Sequence, residues 1–353
     1  MSTPYTLVLG SPLETHERDK LTHPVWGKEF TLDQYLLREE RLRDQPWCKK
    51  NRKTWLLVQE VLGEGPKPLA SCETFEMKSY WNLLEGNTLG IASVFTEPKM
   101  RGLGYCSKLI QALIKRVEET SPQCHALVLY SEIGVSLYER LGFKAVKSEE
   151  WCFSGLSKGV NREMGDPPIA SVIRIERGFD IKKLNLSLKL PQAKFLIWPT
   201  EEQLEWHWAR QDIEAEYLNR SLPDCRGVRV GESFLLWMVD FKKKALKILV
   251  TFATDIQVME PMLSEAVRYA EALGLPEVRM WVSQENLGLA CHTLDFFISD
   301  SLSSLSSMSS SMALISSDSV KRVEREDSIA MILPLNSKLL PDDWSSPSRA
   351  VWV

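Results

Sequence analysis

Arg101-Gly102-Leu103-Gly104-Tyr105-Cys106 joins an apolar run, Ile91 to Thr96, to a segment, Cys106 to Glu119, whose apolar residues recur at helical spacing. A strand, a glycine turn and a helix N-terminus make an anion site. The first turn of a helix carries backbone N–H groups without intrahelical partners, and the aligned peptide dipoles place partial positive charge there. Gly102 and Gly104 permit φ values and close ligand approach that a Cβ hinders, while Arg101 adds a permanent positive charge. Taken alone, the six residues fit a tight strand-to-helix connection equally well, so the flanks decide.

Downstream, Cys106, Leu109, Ile110, Leu113, Ile114 and Val117 give the segment one apolar face, which should pack on a sheet. Ala126 to Tyr130 reads as a short buried strand. Ser136-Leu137-Tyr138-Glu139-Arg140-Leu141-Gly142-Phe143 then reads as a helical turn stopped by Gly142. This order of strand, Arg-x-x-Gly-x-(small), helix, strand and Leu-Tyr-x-x-Leu-Gly-Phe resembles the GNAT superfamily of acetyl-CoA-dependent N-acetyltransferases, over roughly Leu69 to Trp151. Two departures stand out: Cys106 occupies a position usually held by Gly or Ala, and Ser131 stands where many members have Asn. More of the chain carries a narrower resemblance. Ala70-Ser71-Cys72-Glu73-Thr74, Ile91-Ala92-Ser93-Val94-Phe95-Thr96, Leu129-Tyr130-Ser131-Glu132-Ile133-Gly134 and Trp206-His207-Trp208-Ala209-Arg210 look like the fungal lysine N-acetyltransferases of lysine catabolism.

The resemblance implies a mixed α/β (α+β) sheet flanked by helices, with acetyl-CoA as cosubstrate and a small-molecule amine, L-lysine, as acceptor. It places the cofactor on Val94, Phe95 and Thr96 at the strand end and on Arg101, Gly102, Leu103, Gly104, Tyr105 and Cys106 in the turn. It gives Tyr138 the task of protonating the departing CoA thiolate. A lysine ε-amine has an ordinary pKa of about 10.4, so a base must take its proton. Glu73 is the candidate, on the expectation that desolvation raises its pKa toward neutrality. Glu97 is the runner-up, and Glu76 and Glu132 stay open. Arg210 and Arg220 are weaker candidates for holding a substrate carboxylate. Acetylation of another amine or of a protein lysine, and a silent GNAT-like binding module, remain as alternatives.

Composition sets the outer bounds. The chain has 353 residues, 44% hydrophobic and 25% charged, which suits a soluble globular protein with two cores. A formal net charge of -4 and no dominant basic block give no bulk reason to expect nucleic-acid binding. Lys242-Lys243-Lys244 reads as a solvated turn. No segment approaches the roughly 18 uninterrupted apolar residues of a spanning helix, so an intracellular, cytoplasmic location is expected. Seven scattered cysteines without Cys-x-x-Cys spacing suggest a reducing compartment and no structural metal. His207, between Trp206 and Trp208, reads as a packed or hydrogen-bonded histidine.

Along the chain, Thr31 to Arg43 reads as an amphipathic helix capped by Thr31, and Trp55 to Val61 with Leu69 to Thr74 as a hairpin. An acetyltransferase domain over residues 1–155 is expected to give way to a linker at 156–194. A second GNAT-like α/β domain then spans 195–340: helix Glu201 to Leu218, paired strands Phe234 to Phe241 and Leu246 to Ala253, helix Pro261 to Leu273 and strand Glu277 to Val282. It repeats the order of the first half without the cofactor loop, because Phe252 to Glu260 has neither glycine nor arginine and carries Asp255 and Glu260. A serine-rich stretch at 299–319, expected to be disordered, falls between strands Ala290 to Ile298 and Ser328 to Leu335, and a tail follows at 341–353.

Overall fold

The computed structural model describes residues 5–61, 65–154, 172–188, 190, 194–253, 258–282, 320–335, 338–344 and 349–352. The first half runs β1 (Tyr5–Leu9), α1 (Pro12–Trp26), α2 (Leu32–Arg43), α3 (Pro46–Asn51), β2 (Arg52–Val61), β3 (Gly65–Trp81), β4 (Leu84–Phe95), α4 (Tyr105–Thr120), β5 (Cys124–Ser131), α5 (Ser136–Glu139), β6 (Lys144–Ala145) and β7 (Glu149–Ser154). The second runs β8 (Ile173–Glu176), β9 (Phe195–Ile197), α6 (Glu201–Tyr217), β10 (Cys225–Val230), β11 (Ser233–Asp240), β12 (Ala245–Phe252), α7 (Met259–Ala272), β13 (Glu277–Trp281), β14 (Val320–Glu324) and β15 (Ile329–Pro334). The expected hairpin, the helix capped by Thr31 and the elements flanking the glycine turn are all present. The expected linker from 156 to 171, the strand Ala290 to Ile298, the serine-rich stretch and Asp255 lie outside the described residues.

Two sheets result. The first has eight strands, in the order β1-β2-β3-β4-β5-β15-β6 with β9 added on β3; the second has seven, β14-β7-β13-β12-β11-β10-β8. Each contains one parallel pair, β4 with β5 and β12 with β13, bridged by α4 and α7 respectively. The second half therefore repeats the strand-helix-strand core of the first. Leu109, Ile110, Leu113 and Val117 of α4 are buried against the first sheet, and a fully buried Leu or Ile contributes about 1.5–3 kcal/mol, so this stripe fastens the helix.

Sheet membership does not change at residue 155, where the sequence suggested that one unit ends. β7 lies before that point yet pairs with β13 and β14, while β15, from the second half, pairs with β5 and β6. The open side of each parallel pair presents unpaired backbone groups, and in each sheet a strand from the other half of the chain closes it. β9 likewise pairs with the end of β3, at Ser79 to Trp81. Core clusters are shared between the halves as a consequence: Trp47, Phe75 and Val128 pack with Phe195, Trp206, Ile332 and Trp344, Met331 of β15 joins the α4 cluster, and Trp151 and Phe153 of β7 join the α7 cluster.

Polar contacts reinforce the join. Arg38 of α2 pairs with Glu214 of α6 at 2.8 Å, and Arg41 with Glu216 at 2.8 Å. Lys242 is not a solvated turn residue like Lys243 and Lys244. It reaches back to Glu29 at 3.3 Å and donates to the Trp26 carbonyl. Residues 1–154 expressed alone lack β9 and β15, so they should give poorly soluble protein without a cooperative unfolding transition. Co-expression with residues 155–353 should restore one, and circular dichroism during thermal unfolding checks both outcomes.

Candidate active site

β3 and β4 run antiparallel with an irregularity at one place: Ser71 faces Phe95 and Glu73 faces Ala92, so Cys72 alone opposes Ser93 and Val94. That is a β-bulge, and Ser93 adopts φ 50° within it. On its other side β4 stays paired with β5 only as far as Ile91 with Leu129. Beyond that rung the two parallel strands part. Backbone groups of β4 past Ile91 are thereby left without a partner on β5, next to the turn that begins α4.

The turn has the conformation its glycines suggested. Gly102 and Gly104 have φ of 80° and 77°, values that disfavour any side chain, and a Cβ built on either meets nothing within 4 Å. Gly104 caps α4 without a side-chain hydrogen bond, so the N–H groups of Tyr105, Cys106 and Ser107 open the helix with no intrahelical acceptor. Arg101 turns back, donating from Nε to the Thr96 carbonyl at 3.1 Å, and Leu103 is exposed. The Thr96 hydroxyl is buried with no partner. Val94 is half-buried, and Phe95 is buried edge-on against Trp26 with ring centroids 6.0 Å apart. Cys106 is half-buried, and burial pushes its thiol pKa up, so it acts as a small neutral side chain.

Tyr138 is buried on the α4 side of the sheet, with Phe143 edge-on at 6.0 Å. Burial, with the Cys106 and Cys72 thiols nearby, raises its pKa and keeps the hydroxyl protonated. Ser131 is used locally: its hydroxyl donates to the Gly134 carbonyl and accepts from the Ile133 N–H, closing the turn after β5.

Glu73 differs from its expectation. It is buried between two guanidinium groups, Arg18 at 3.1 Å and Arg52. Desolvation raises its pKa, but the two positive charges outweigh that and hold it down at about 2. A carboxylate so held has too little proton affinity to serve as a base near neutrality. Its task is structural: it fixes Arg18, which also donates to the Ser71 hydroxyl at 3.0 Å and to the Ser93 carbonyl in the bulge at 2.7 Å. The other glutamates offer no buried, unpaired carboxylate either. Glu97 pairs with Lys99 at 2.9 Å, Glu76 is exposed and accepts from Asn87, and Glu132 is exposed.

Sequence reading missed Arg18 and its neighbour Asp19. Asp19 is fully buried, and desolvation, opposed by its ion pair with Arg43, lifts its pKa to about 6. Of the proposed carboxylate anchors, Arg210 is paired with Glu214 at 3.4 Å and stacked on Trp352, and Arg220 is exposed. His207 is buried, donates from Nε2 to the Ala350 carbonyl at 2.8 Å, and has its pKa lowered by burial to about 3. It is a packed, hydrogen-bonded residue. Among the described residues no cluster of His, Cys, Asp and Glu could hold a metal, and no helix is long and apolar enough to cross a membrane.

Two family models match the chain in succession. The Acetyltransferase (GNAT) family model covers residues 21–143, and the LYC1 GNAT-like C-terminal domain model covers 180–353. The chain belongs to the GNAT acetyltransferases. A "Lysine acetyltransferase" from Yarrowia lipolytica is 24% identical over 295 residues, covering 68% of this chain and 73% of that protein. Among solved structures, a probable N-acyltransferase from Enterococcus faecalis V583 aligns with a TM-score of 0.56 at 11% identity, covering 94% of this chain and 73% of that one. A GCN5-related N-acetyltransferase from Kribbella flavida aligns with a TM-score of 0.52 at 14% identity, covering 94% and 71%. These two likenesses establish the GNAT fold across nearly the whole chain. As a GNAT acetyltransferase, the protein takes its acetyl group from acetyl-CoA and delivers it to an amine.

The Arg18–Glu73–Arg52 arrangement makes a stability prediction. Glu73→Gln leaves two buried guanidinium groups short of a counterion and should cost about 3–5 kcal/mol at pH 7. Because the folded-state pKa of Glu73 is lowered from 4.5 to about 2, its contribution is present above pH 4.5 and lost as pH falls toward 2, so the deficit should shrink across that window. Asp19→Asn should run the other way. The raised Asp19 pKa favours the wild type below pH 3.8 and loses that contribution as pH rises through about 6, so the variant should gain on the wild type across the window from pH 3.8 to about 6 and hold that gain above it. Urea unfolding at several pH values measures both trends.

Proposed function

We propose that this GNAT acetyltransferase moves the acetyl group of acetyl-CoA to the ε-amine of free L-lysine by direct attack in a ternary complex, a step suited to lysine catabolism. The observation that carries the site assignment is the end of the β4–β5 ladder at Ile91 and Leu129, beside a glycine turn that opens a helix. The lysine assignment is supported by the name of the Yarrowia relative, "Lysine acetyltransferase".

In this reading the turn from Arg101 to Cys106 holds the pyrophosphate. The open space at Gly102 and Gly104 admits it, and the first-turn N–H groups of α4 and the unpartnered Thr96 hydroxyl are donors without other work. Arg101 braces the turn through its bond to Thr96 and adds positive charge. Backbone groups of Val94, Phe95 and Thr96, freed from β5, take the pantetheine arm and orient the thioester; an N–H among them stabilises the carbonyl oxygen as charge develops on it. Tyr138, kept protonated by burial, donates its proton to the departing thiolate. Arg18 and Glu73 act indirectly, by fixing the bulge that separates the strands.

Steady-state kinetics separates these roles. Gly104→Val places a β-branched residue at a φ of 77° and fills the open cradle, so the KM for acetyl-CoA should rise at least tenfold with little change in the KM for the amine. Tyr138→Phe should lower kcat roughly a hundredfold with acetyl-CoA affinity retained, in the range general acid catalysis supplies; unchanged kcat removes the acid role. Across a panel of free lysine, ornithine, polyamines and lysine-containing peptides, CoA release should be fastest with free lysine. A faster peptide or polyamine would redirect the assignment, and acetyl-CoA binding without turnover on any amine would make the protein a binding module.

A further inference from the structure

The unusual charges lie on the face of β5 opposite α4. Trp281, the last residue of β13, has two guanidinium groups over its indole: Arg325 at 3.7 Å and Arg349 at 4.8 Å from the ring centroid. Arg349 also lies 4.1 Å from the Trp352 ring. Both arginines are more than nine-tenths buried, at 5% and 8% exposure. Neither guanidinium has an ion pair or a hydrogen bond among the described residues, and Nε and Nη1 of Arg325 are buried without any partner. The neighbouring carboxylates are already committed: Asp240 to Lys247, Asp327 to Lys243 at 2.5 Å, and Glu150 to Arg279 at 2.8 Å. Burial pulls the two arginines down to about 10, which leaves them charged at neutral pH.

Tyr130 completes the group. Its ring packs on Trp281 at 5.2 Å, and its hydroxyl is buried with no partner, within the field of both arginines. Two buried cations and an idle hydroxyl are costly unless something anionic joins them, since an uncompensated buried charge is among the most destabilising features a fold can carry. The aromatic faces hold the guanidinium planes in place, and such planar forks match a carboxylate bidentately.

Position identifies which carboxylate. Tyr130 follows Leu129, the β5 partner in the last β4–β5 rung, so the group lies at the mouth of the gap between those strands, across the sheet from α4 and the glycine turn. We infer that Arg325, Arg349 and the Tyr130 hydroxyl form the receptor for the α-carboxylate of an amino-acid acceptor, whose side-chain amine reaches the gap along its four-carbon stem. This deepens the lysine reading above and rests on it. It also gives the second half a task, because Trp281, Arg325 and Arg349 all come from it, whereas Tyr130 comes from the first.

The test compares L-lysine with 1,5-diaminopentane, which is lysine without its carboxylate, in steady-state kinetics and in calorimetric titration. Arg325→Met and Arg349→Met should each raise the KM for lysine ten- to a hundredfold, leave the KM for acetyl-CoA within twofold, and leave diaminopentane turnover unchanged. Tyr130→Phe should raise the lysine KM by less, and Arg325→Lys should recover part of the loss. Should one methionine variant fail to fold, the other and Tyr130→Phe carry the comparison. Lysine turnover that all three variants leave intact, or equal losses for both amines, overturns the carboxylate receptor and leaves the lysine reading standing. Diaminopentane turnover by the wild type, with neither turnover nor calorimetric binding of lysine, overturns both.

Discussion

Glu73 between Arg18 and Arg52 is the contact on which the active region depends. A lone carboxylate in the middle of a sheet would be neutralised or expelled, because desolvation disfavours its charged form. Two guanidinium groups reverse that balance, and the planar fork of Arg18 spends its remaining N–H groups on the Ser71 hydroxyl and the Ser93 carbonyl. The bulge at Ser93 and Val94 is thereby tied to α1. Where the bulge lies, β4 changes direction, and its ladder to β5 ends at Ile91. An ion triplet thus underlies the opening between the two strands. Such a triplet is a weak source of net stability but a strong determinant of geometry, since removing one member strands the others.

The exchanged strands answer a second requirement. A gap between β4 and β5 would be of little use if β5 could move, and β5 is held on its far side by β15 from the second half. Reciprocally, β13 is held by β7 from the first. The apolar cluster around Trp206 and Trp344, and the Arg38–Glu214 and Arg41–Glu216 pairs, bind the same interface from the side of the helices. The two halves can no longer be treated as modules on a linker. The positions of Trp281, Arg325 and Arg349 relative to Tyr130 are set by backbone pairing as well as by side-chain packing.

How much of this the sequence carried follows from the range of each signal. The glycine turn, the apolar stripe of α4, the hairpin of β2 and β3, and the repeated strand-helix-strand order are local patterns, and they were legible. α1 was not, because it buries Thr15, Arg18, Asp19 and Thr22, a polar stripe that hydropathy cannot distinguish from a solvated face. For the same reason Glu73 looked like a free carboxylate: its partners stand 55 and 21 residues away. Strand exchange leaves no local trace either, since β7, β9 and β15 are ordinary short strands whose neighbours are decided by long-range closure. Arg325 and Arg349 had no motif around them; what distinguishes them is the lack of a counterion among the described residues, a property only the folded chain has.

On the carboxylate reading of Arg325 and Arg349, the enzyme meets its two substrates with anion sites of opposite construction, and the difference has a physical reason. In the proposed site, acetyl-CoA would be bound through an exposed turn of backbone N–H groups, where solvent can replace the phosphate at little cost each time CoA leaves. The acceptor is judged by buried guanidinium groups that water does not readily satisfy. An amine lacking the carboxylate leaves those charges as unpaired as before, so it gains nothing from the site that an amino acid gains. Discrimination of this kind is steep, because a site built for a polar group gives up the binding energy of every bond that goes unmade. On this proposal backbone donors serve a cosubstrate common to the family, and buried side-chain charges, supplied largely by the second half, serve the choice of amine.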